Sequence, residues 1–340
     1  MIAPLAPGFS PERLCALMRQ AIASMHLDLT GITILTEAAS GAYGVTPVIA
    51  ALAKAQHVHA VTRSSRYGST EEVATWTRDL ALKAGVSDRI SVSESVSPDI
   101  LPDVNLVTNS GHLRPITSTI IHHLPARSVI ALMFEAWEFR SQDIDAAACR
   151  RRGIPVIGVN EHHAAVDVFS YLGPLCVKLL QDAGLSVYRN RIAVLCDNGF
   201  DEPILRGLTG LRADVRLVSA VEALHKDDWD AILVALQPGF EPRIGLREAS
   251  YLASICGPGT VIVQLWGDMD RRALADFGLP VWPPSSPPRG HMAILLSAIG
   301  PDPIVRLQTG GLRAAEWVFR GGAIMPDGFA QLVDLDAIVP

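Results

Sequence analysis

The sequence has no C-x-x-C pair, no excess of basic charge and no run of apolar residues long enough to cross a bilayer, and each absence removes a class of function. Its five cysteines, Cys15, Cys149, Cys176, Cys196 and Cys256, are scattered and odd in number. That usage predicts reduced, mostly buried thiols and no structural zinc site. The formal net charge of -6 and sequence pI of about 5.9 argue against a nucleic-acid or anionic-membrane partner. No basic stretch precedes an apolar one near the start, so the expectation is a cytoplasmic protein without a membrane span.

What remains is an ordinary globular composition, 49% hydrophobic and 19% charged, in a chain of 340 residues. That is longer than one core usually supports, so two domains are expected. A helix is predicted from about Pro11 to His26, with Leu14, Leu17, Met18 and Ile22 on one face. Short apolar runs then alternate with helical stretches: GITILTEA, HVHAVTR, RISVSES, NLVTN, SVIALMF and GIPVIGV. Apolar runs separated by helices indicate a parallel sheet covered on both faces.

From Arg191 the scheme starts again. RIAVLCDNGFDEPILRGL repeats the strand, turn and helix of ITILTEAASGAYGVTPVIAAL, and DVRLVS parallels HVHAVTR. DAILVALQPG parallels NLVTNSGH, and TVIVQLWGDMDRRALADFGLPVWPP parallels SVIALMF through GIPVIGVN. The spacing drifts between early and late strands, as it would if the first half held an extra helix and strand at roughly residues 66–98. The fold class expected is α/β, with two tandem Rossmann-like, doubly wound parallel-sheet lobes related by duplication and joined by a long helix. The lobes would span residues 1–160 and 188–300, with a connecting helix in 161–187 and a C-terminal helix and tail, 301–340, packing back.

This layout resembles the two-lobed NAD(P)-dependent 2-hydroxyacid (formate/glycerate) dehydrogenases. The local carriers are DIDAAACRRRGIPVIGVNEHHAAVDVFSYL and the strand-turn-helix after Arg191. The resemblance implies a cleft between lobes, a nicotinamide cofactor and a small polar substrate. It carries over no catalytic residue, because the family's Arg, Glu and His motifs are not recognisable here. The family's G-x-G-x-x-G is also missing: the second-half turn reads Cys196-Asp197-Asn198-Gly199-Phe200-Asp201-Glu202, whose acids would repel a pyrophosphate.

The first-half turn is better suited to an anion. Gly41 and Gly44 permit close backbone approach, Ser40 and Thr46 offer hydroxyls, and Tyr43 lies between them. After the second strand come Arg63, Ser64 and Arg66, where a domain preferring NAD would carry an acid; guanidinium there suits the 2′-phosphate of NADP. Asn109, Ser110 and His112 follow the fourth strand, on the nicotinamide or substrate side of the same crevice. His112, Glu135 and His162 are the candidates for moving a proton, Glu135 as part of a carboxylate cluster with Glu138 and Arg140. A solvated or purely structural loop is the competing reading of each. TEAASGAYG followed by ALKAGVSDRISV is also similar to S-adenosylmethionine-dependent methyltransferases, although Arg63 stands where that family has an acid. The readings are thus an NADP-dependent oxidoreductase, with NAD as the alternative nicotinamide cofactor; a non-redox bilobal protein for binding or assembly; or an S-adenosylmethionine-dependent methyltransferase-like enzyme. The partners expected are a small-molecule substrate and a second copy in a homodimer, with no metal.

Overall fold

The structure is a computed structural model that describes residues 6–322 and 327–338. It divides into two compact units, residues 1–168 with 300–340, and residues 169–299.

The first unit is built on a seven-stranded sheet. Its strands are β1 (Thr33–Glu37), β2 (His57–Val61), β3 (Ile90–Ser93), β4 (Leu106–Thr108), β5 (Val129–Ala131), β6 (Val156–Val159) and the late β12 (Ala330–Leu332). They run in the order β3-β2-β1-β4-β5-β6-β12; the first six are parallel, and β12 pairs antiparallel with β6. Order 3-2-1-4-5-6 is that of dinucleotide-binding sheets, whose ligand crevice opens between β1 and β4 at their carboxyl ends. Every residue of β4, β5 and β6 is buried, which is why these strands read as continuous apolar runs.

Helices cover both faces. Helix α1 (Pro11–Met25) starts where Ser10 Oγ accepts the Arg13 N–H at 3.3 Å, and it buries Leu14, Met18, Ala21 and Met25 along one stripe. With α2 (Thr46–Leu52), α3 (Thr70–Ala84) and α10 (Asp302–Phe319) it forms one helical group. The opposite face carries α4 (Ser118–His123) and α5 (Ala146–Arg152), whose Ile121, Ala148 and Cys149 pack with Leu35, Val107, Ile130 and Val156. Each such fully buried aliphatic side chain contributes about 2 kcal/mol. Helix α3 has a full capping box between Ser69 and Glu72, and it ends at Gly85 with φ +79°.

The second unit has a five-stranded sheet of β7 (Arg191–Cys196), β8 (Asp214–Val218), β9 (Ala231–Ala235), β10 (Val261–Trp266) and β11 (Val281–Trp282), in the order β8-β7-β9-β10-β11. All pairings are parallel. Helices α6 (Leu172–Asp182) and α7 (Asp201–Gly210) pack on one face, α8 (Leu246–Ile255) and α9 (Arg271–Asp276) on the other. This order equals that of the first sheet with β3 and β12 removed, so the duplication and the extra α3–β3 pair are both present as expected.

The connecting helix expected within residues 161–187 begins only at Leu172 and ends at Asp182. The preceding carbonyls are taken by α10 instead: Arg306 donates through Nε to the Val166 carbonyl at 2.6 Å and through Nη2 to that of Ala164 at 3.2 Å. Asp167 adopts φ +49°, which a right-handed helix excludes. Among the described residues, no helix is long and apolar enough to cross a membrane.

Candidate functional site

The carboxyl ends of β1 and β4 meet at the switch point of the first sheet, and polar groups concentrate there. Three buried hydroxyls form a chain, Thr36 Oγ1 to Thr108 Oγ1 at 2.8 Å and Thr108 Oγ1 to Ser110 Oγ at 2.5 Å. Asn109 is 1% exposed; its Oδ1 accepts from Arg114 Nε at 3.1 Å and its carbonyl from Arg114 Nη2 at 2.8 Å. Its Nδ2 is a buried donor with no partner among the described residues. Arg114 also faces Asp143 at 3.4 Å and lies 5.7 Å from the centre of the Phe134 ring.

Glu37, the last residue of β1, reaches the same place, and its Oε2 accepts the His112 backbone N–H at 3.0 Å. Burial pushes this carboxyl above its ordinary value, against the opposing pull of the His112 N–H, the His112 ring and Arg114. The loop packs so closely that a Cβ on Gly111 would lie 2.7 Å from Glu37 Oε2. Sequence reading missed Glu37 and Arg114 as a pair. The signal available was a charged residue ending an otherwise apolar strand.

Carboxylates gather beyond β5 and β6. Glu135 is 5% exposed and spends both oxygens on protein donors, Oε1 on the Glu161 N–H at 2.9 Å and Oε2 on Trp137 Nε1 at 2.5 Å. Glu138 is raised by burial, with Glu135 adding to the shift and Arg140 opposing it. Glu161 is raised well above the ordinary range, first by burial and then by Glu138 and Glu135. The groups favouring a proton in this cluster are therefore Glu138 and Glu161, while Glu135 acts as their hydrogen-bonded anchor. Among the described residues, no His, Cys, Asp or Glu group has the geometry of a metal site.

The other expected site residues fall as follows. His112 is half-buried beside Glu37, whereas His162 is exposed, its N–H donating to Asn160 Oδ1 at 3.0 Å. Ser40, Gly41 and Tyr43 are half-buried at the exit of β1, where Gly41 has φ +59° and open space where a Cβ would stand. Arg63, Ser64 and Arg66 are exposed after the neighbouring β2; Arg66 sits over the Tyr67 ring at 4.7 Å, and Ser64 Oγ accepts the Thr70 N–H at 3.2 Å.

Two members of the expected phosphate cradle need correction. Thr46 is 1% exposed and donates its hydroxyl to Gln308 Oε1 of α10 at 2.7 Å, so it faces a packed helix. Gly44 is a packing residue: a Cβ there would lie 2.4 Å from the Ala39 carbonyl and 3.0 Å from Trp76 Nε1. A single turn of 3-10 helix, Gly41–Val45, precedes α2 and buries its start. Of the expected turn residues, Ser40, Gly41 and Tyr43 are the ones that stay half-buried.

In the second unit the equivalent turn is closed by its own acid. Asp197 Oδ1 accepts the Gln237 N–H at 2.8 Å, and Oδ2 pairs with Arg243 Nη2 at 2.9 Å. Asn198 Nδ2 donates to the Ala235 carbonyl at 2.8 Å, and Phe200 stacks on Trp266 with ring centres 4.8 Å apart.

No protein-family model matches the sequence, and no curated protein matches it. Solved structures do match its fold. A dipicolinate synthase chain from Bacillus halodurans aligns over 88% of this chain and 100% of its own length, with 11% identity and a TM-score of 0.53. The corresponding dipicolinate synthase chain from Bacillus subtilis aligns over 87% and 97%, with 13% identity and a TM-score of 0.52. An NAD-dependent formate dehydrogenase from Staphylococcus aureus aligns over 87% and 98%, with 13% identity and a TM-score of 0.42. At these identities the likeness is one of fold alone, shared with the two dipicolinate synthase chains.

Proposed function

We propose that the chain is an NADP-dependent oxidoreductase acting on a small polar metabolite. The observation that carries this reading is the 3-2-1-4-5-6 strand order, which sets the loops after β1, β2 and β4 along one crevice. The residues present fit the cofactor in part. Ser40, Gly41 and Tyr43 would face the pyrophosphate, and Arg63, Ser64 and Arg66 the 2′-phosphate, for which paired guanidinium groups are suited. The orphan Asn109 Nδ2 and the Ser110 hydroxyl would face the nicotinamide side or the substrate. When bound, the cofactor supplies the hydride. The chain's own task is to move a proton near it; the candidates are His112, whose backbone N–H ties its loop to Glu37, and Glu138 and Glu161, whose carboxyls burial raises. A homodimer in the cytoplasm is the setting that accompanies this reading.

A non-redox binding protein is the second reading, favoured by the closure of the second turn through Asp197 and Arg243. Thermal shifts with NADPH, NADH, S-adenosylmethionine and a blank separate the two. A ligand at a hundred times its Kd stabilises the native state by about 2.7 kcal/mol. NADPH is expected to give the largest rise in Tm. A flat response to every nucleotide removes the oxidoreductase reading.

A further inference from the structure

On the α4–α5 face of the first unit lies a cavity of about 560 Å³, lined by Ser118, Thr119, His122 and His123 of α4 and by Ala148, Arg151 and Arg152 of α5. No acidic side chain is among these residues, in a chain whose net charge is -6. Arginines in the last turn of a helix ordinarily complement its dipole, and that accounts for part of the cluster. Arg150 pairs with Asp336 at 3.5 Å, and Arg152 Nη2 donates to the Leu124 carbonyl at 2.7 Å.

It does not account for the rest. Arg152 Nε is a buried donor with no partner, and Arg151 is exposed with no hydrogen bond or ion pair among the described residues. His123 Nδ1 is engaged with the Thr119 carbonyl at 2.8 Å, and the His122 ring stands edge-on to it with centres 5.6 Å apart. Guanidinium, imidazole and hydroxyl groups therefore converge on one hollow with spare donors and no internal anion. We propose that this cavity binds the phosphate group of a small phosphorylated metabolite. Planar guanidinium forks and hydroxyls match a phosphate dianion, and the volume is that of a small-molecule pocket. The site is separate from the β1–β4 crevice and does not rest on the oxidoreductase reading.

Calorimetric titration of the full chain with inorganic phosphate and with pyrophosphate at low ionic strength tests it. Arg151→Ala and His122→Gln alter exposed side chains, so both variants should keep the wild-type Tm. Wild type is expected to bind, Arg151→Ala to weaken pyrophosphate about tenfold, as loss of a charged hydrogen bond does, and Arg63→Ala to leave it unchanged. No heat with wild type, or wild-type affinity in the Arg151→Ala/His122→Gln double variant, overturns the site. Binding lost in Arg63→Ala and retained in Arg151→Ala also overturns it, and assigns the phosphate to the crevice.

Discussion

The Glu37 carboxylate accepts the His112 backbone N–H at 3.0 Å and so ties the exit of β1 to the loop after β4. The bond stabilises the ionised form, yet burial outweighs it and leaves the carboxyl above its ordinary value. A carboxylate raised in the folded state holds more protons than in the unfolded chain, so its ionisation costs stability as pH rises. The cost is absent below the ordinary carboxylate range and complete above the folded pKa. Glu37→Gln keeps an acceptor for the His112 N–H and removes the charge. Its Tm relative to wild type is expected to improve as pH rises from the ordinary carboxylate range through the raised folded pKa, and parallel Tm curves would show that Glu37 carries no buried-charge penalty.

The exposed loop after β2 gives a prediction of selectivity. In the proposed reading, the exposed Arg63 and Arg66 meet the 2′-phosphate that NADPH has and NADH lacks. Arg63→Ala should weaken NADPH by about tenfold, the worth of a charged hydrogen bond, and NADH little. Competitive titrations of both dinucleotides against the variant measure this. Equal loss for the two would refute the 2′-phosphate assignment.

Helices α6 and α7 cross through a pair of glycines. A Cβ on Gly207 would lie 2.4 Å from Gly173 Cα, and one on Gly173 would lie 2.6 Å from the Pro203 carbonyl. Both obstacles are backbone, so neither yields as a side chain would. Gly207→Ala is expected to destabilise the second unit by about 1–3 kcal/mol through overpacking. Gly210, in the same helix, has open space at that position, and Gly210→Ala should be neutral or stabilising by up to about 1 kcal/mol. Denaturant titration of the two variants reads the contrast, and equal effects would refute the close-packing account.

Much of this architecture was legible in the sequence for a physical reason. Parallel strands buried on both faces are mostly apolar, with any hydroxyl paired inside, so ILT, LVT and VIA announce themselves, and the same requirement repeated after Arg191 exposed the duplication. The turn residues were less legible. Whether Thr46 faces a ligand or Gln308 depends on a helix that arrives more than two hundred residues later, and no local pattern carries that information. The late start of α6 has the same origin, because Arg306 of α10 takes the carbonyls that a helix would need. Glu135 was visible as a charge near a strand end, but its role as anchor for Glu161 and Trp137 depends on where β6 and its loop come to lie.

The acidic turn of the second unit, read from sequence as hostile to phosphate, carries its own anion. Partial burial alone would raise Asp197, yet the Gln237 N–H, Arg243 and Asn198 outweigh it and hold the carboxyl below its ordinary value. A carboxylate depressed in the folded state stabilises the protein above the ordinary carboxylate range, and that stabilisation is lost as pH falls through the folded pKa. Asp197→Asn should therefore cost about 1 kcal/mol at pH 7, within the range of a partly exposed ion pair with added hydrogen bonds. The gap should narrow only as pH falls below the ordinary carboxylate range and through the lower folded pKa, where wild type loses the charge too. Guanidinium-chloride unfolding in a pH series from about 7 downward through the acid range follows the loss. A variant as stable as wild type at neutral pH would mean that Arg243 and Gln237 gain nothing from Asp197, and that the turn is held by Asn198 and the Phe200–Trp266 stack alone.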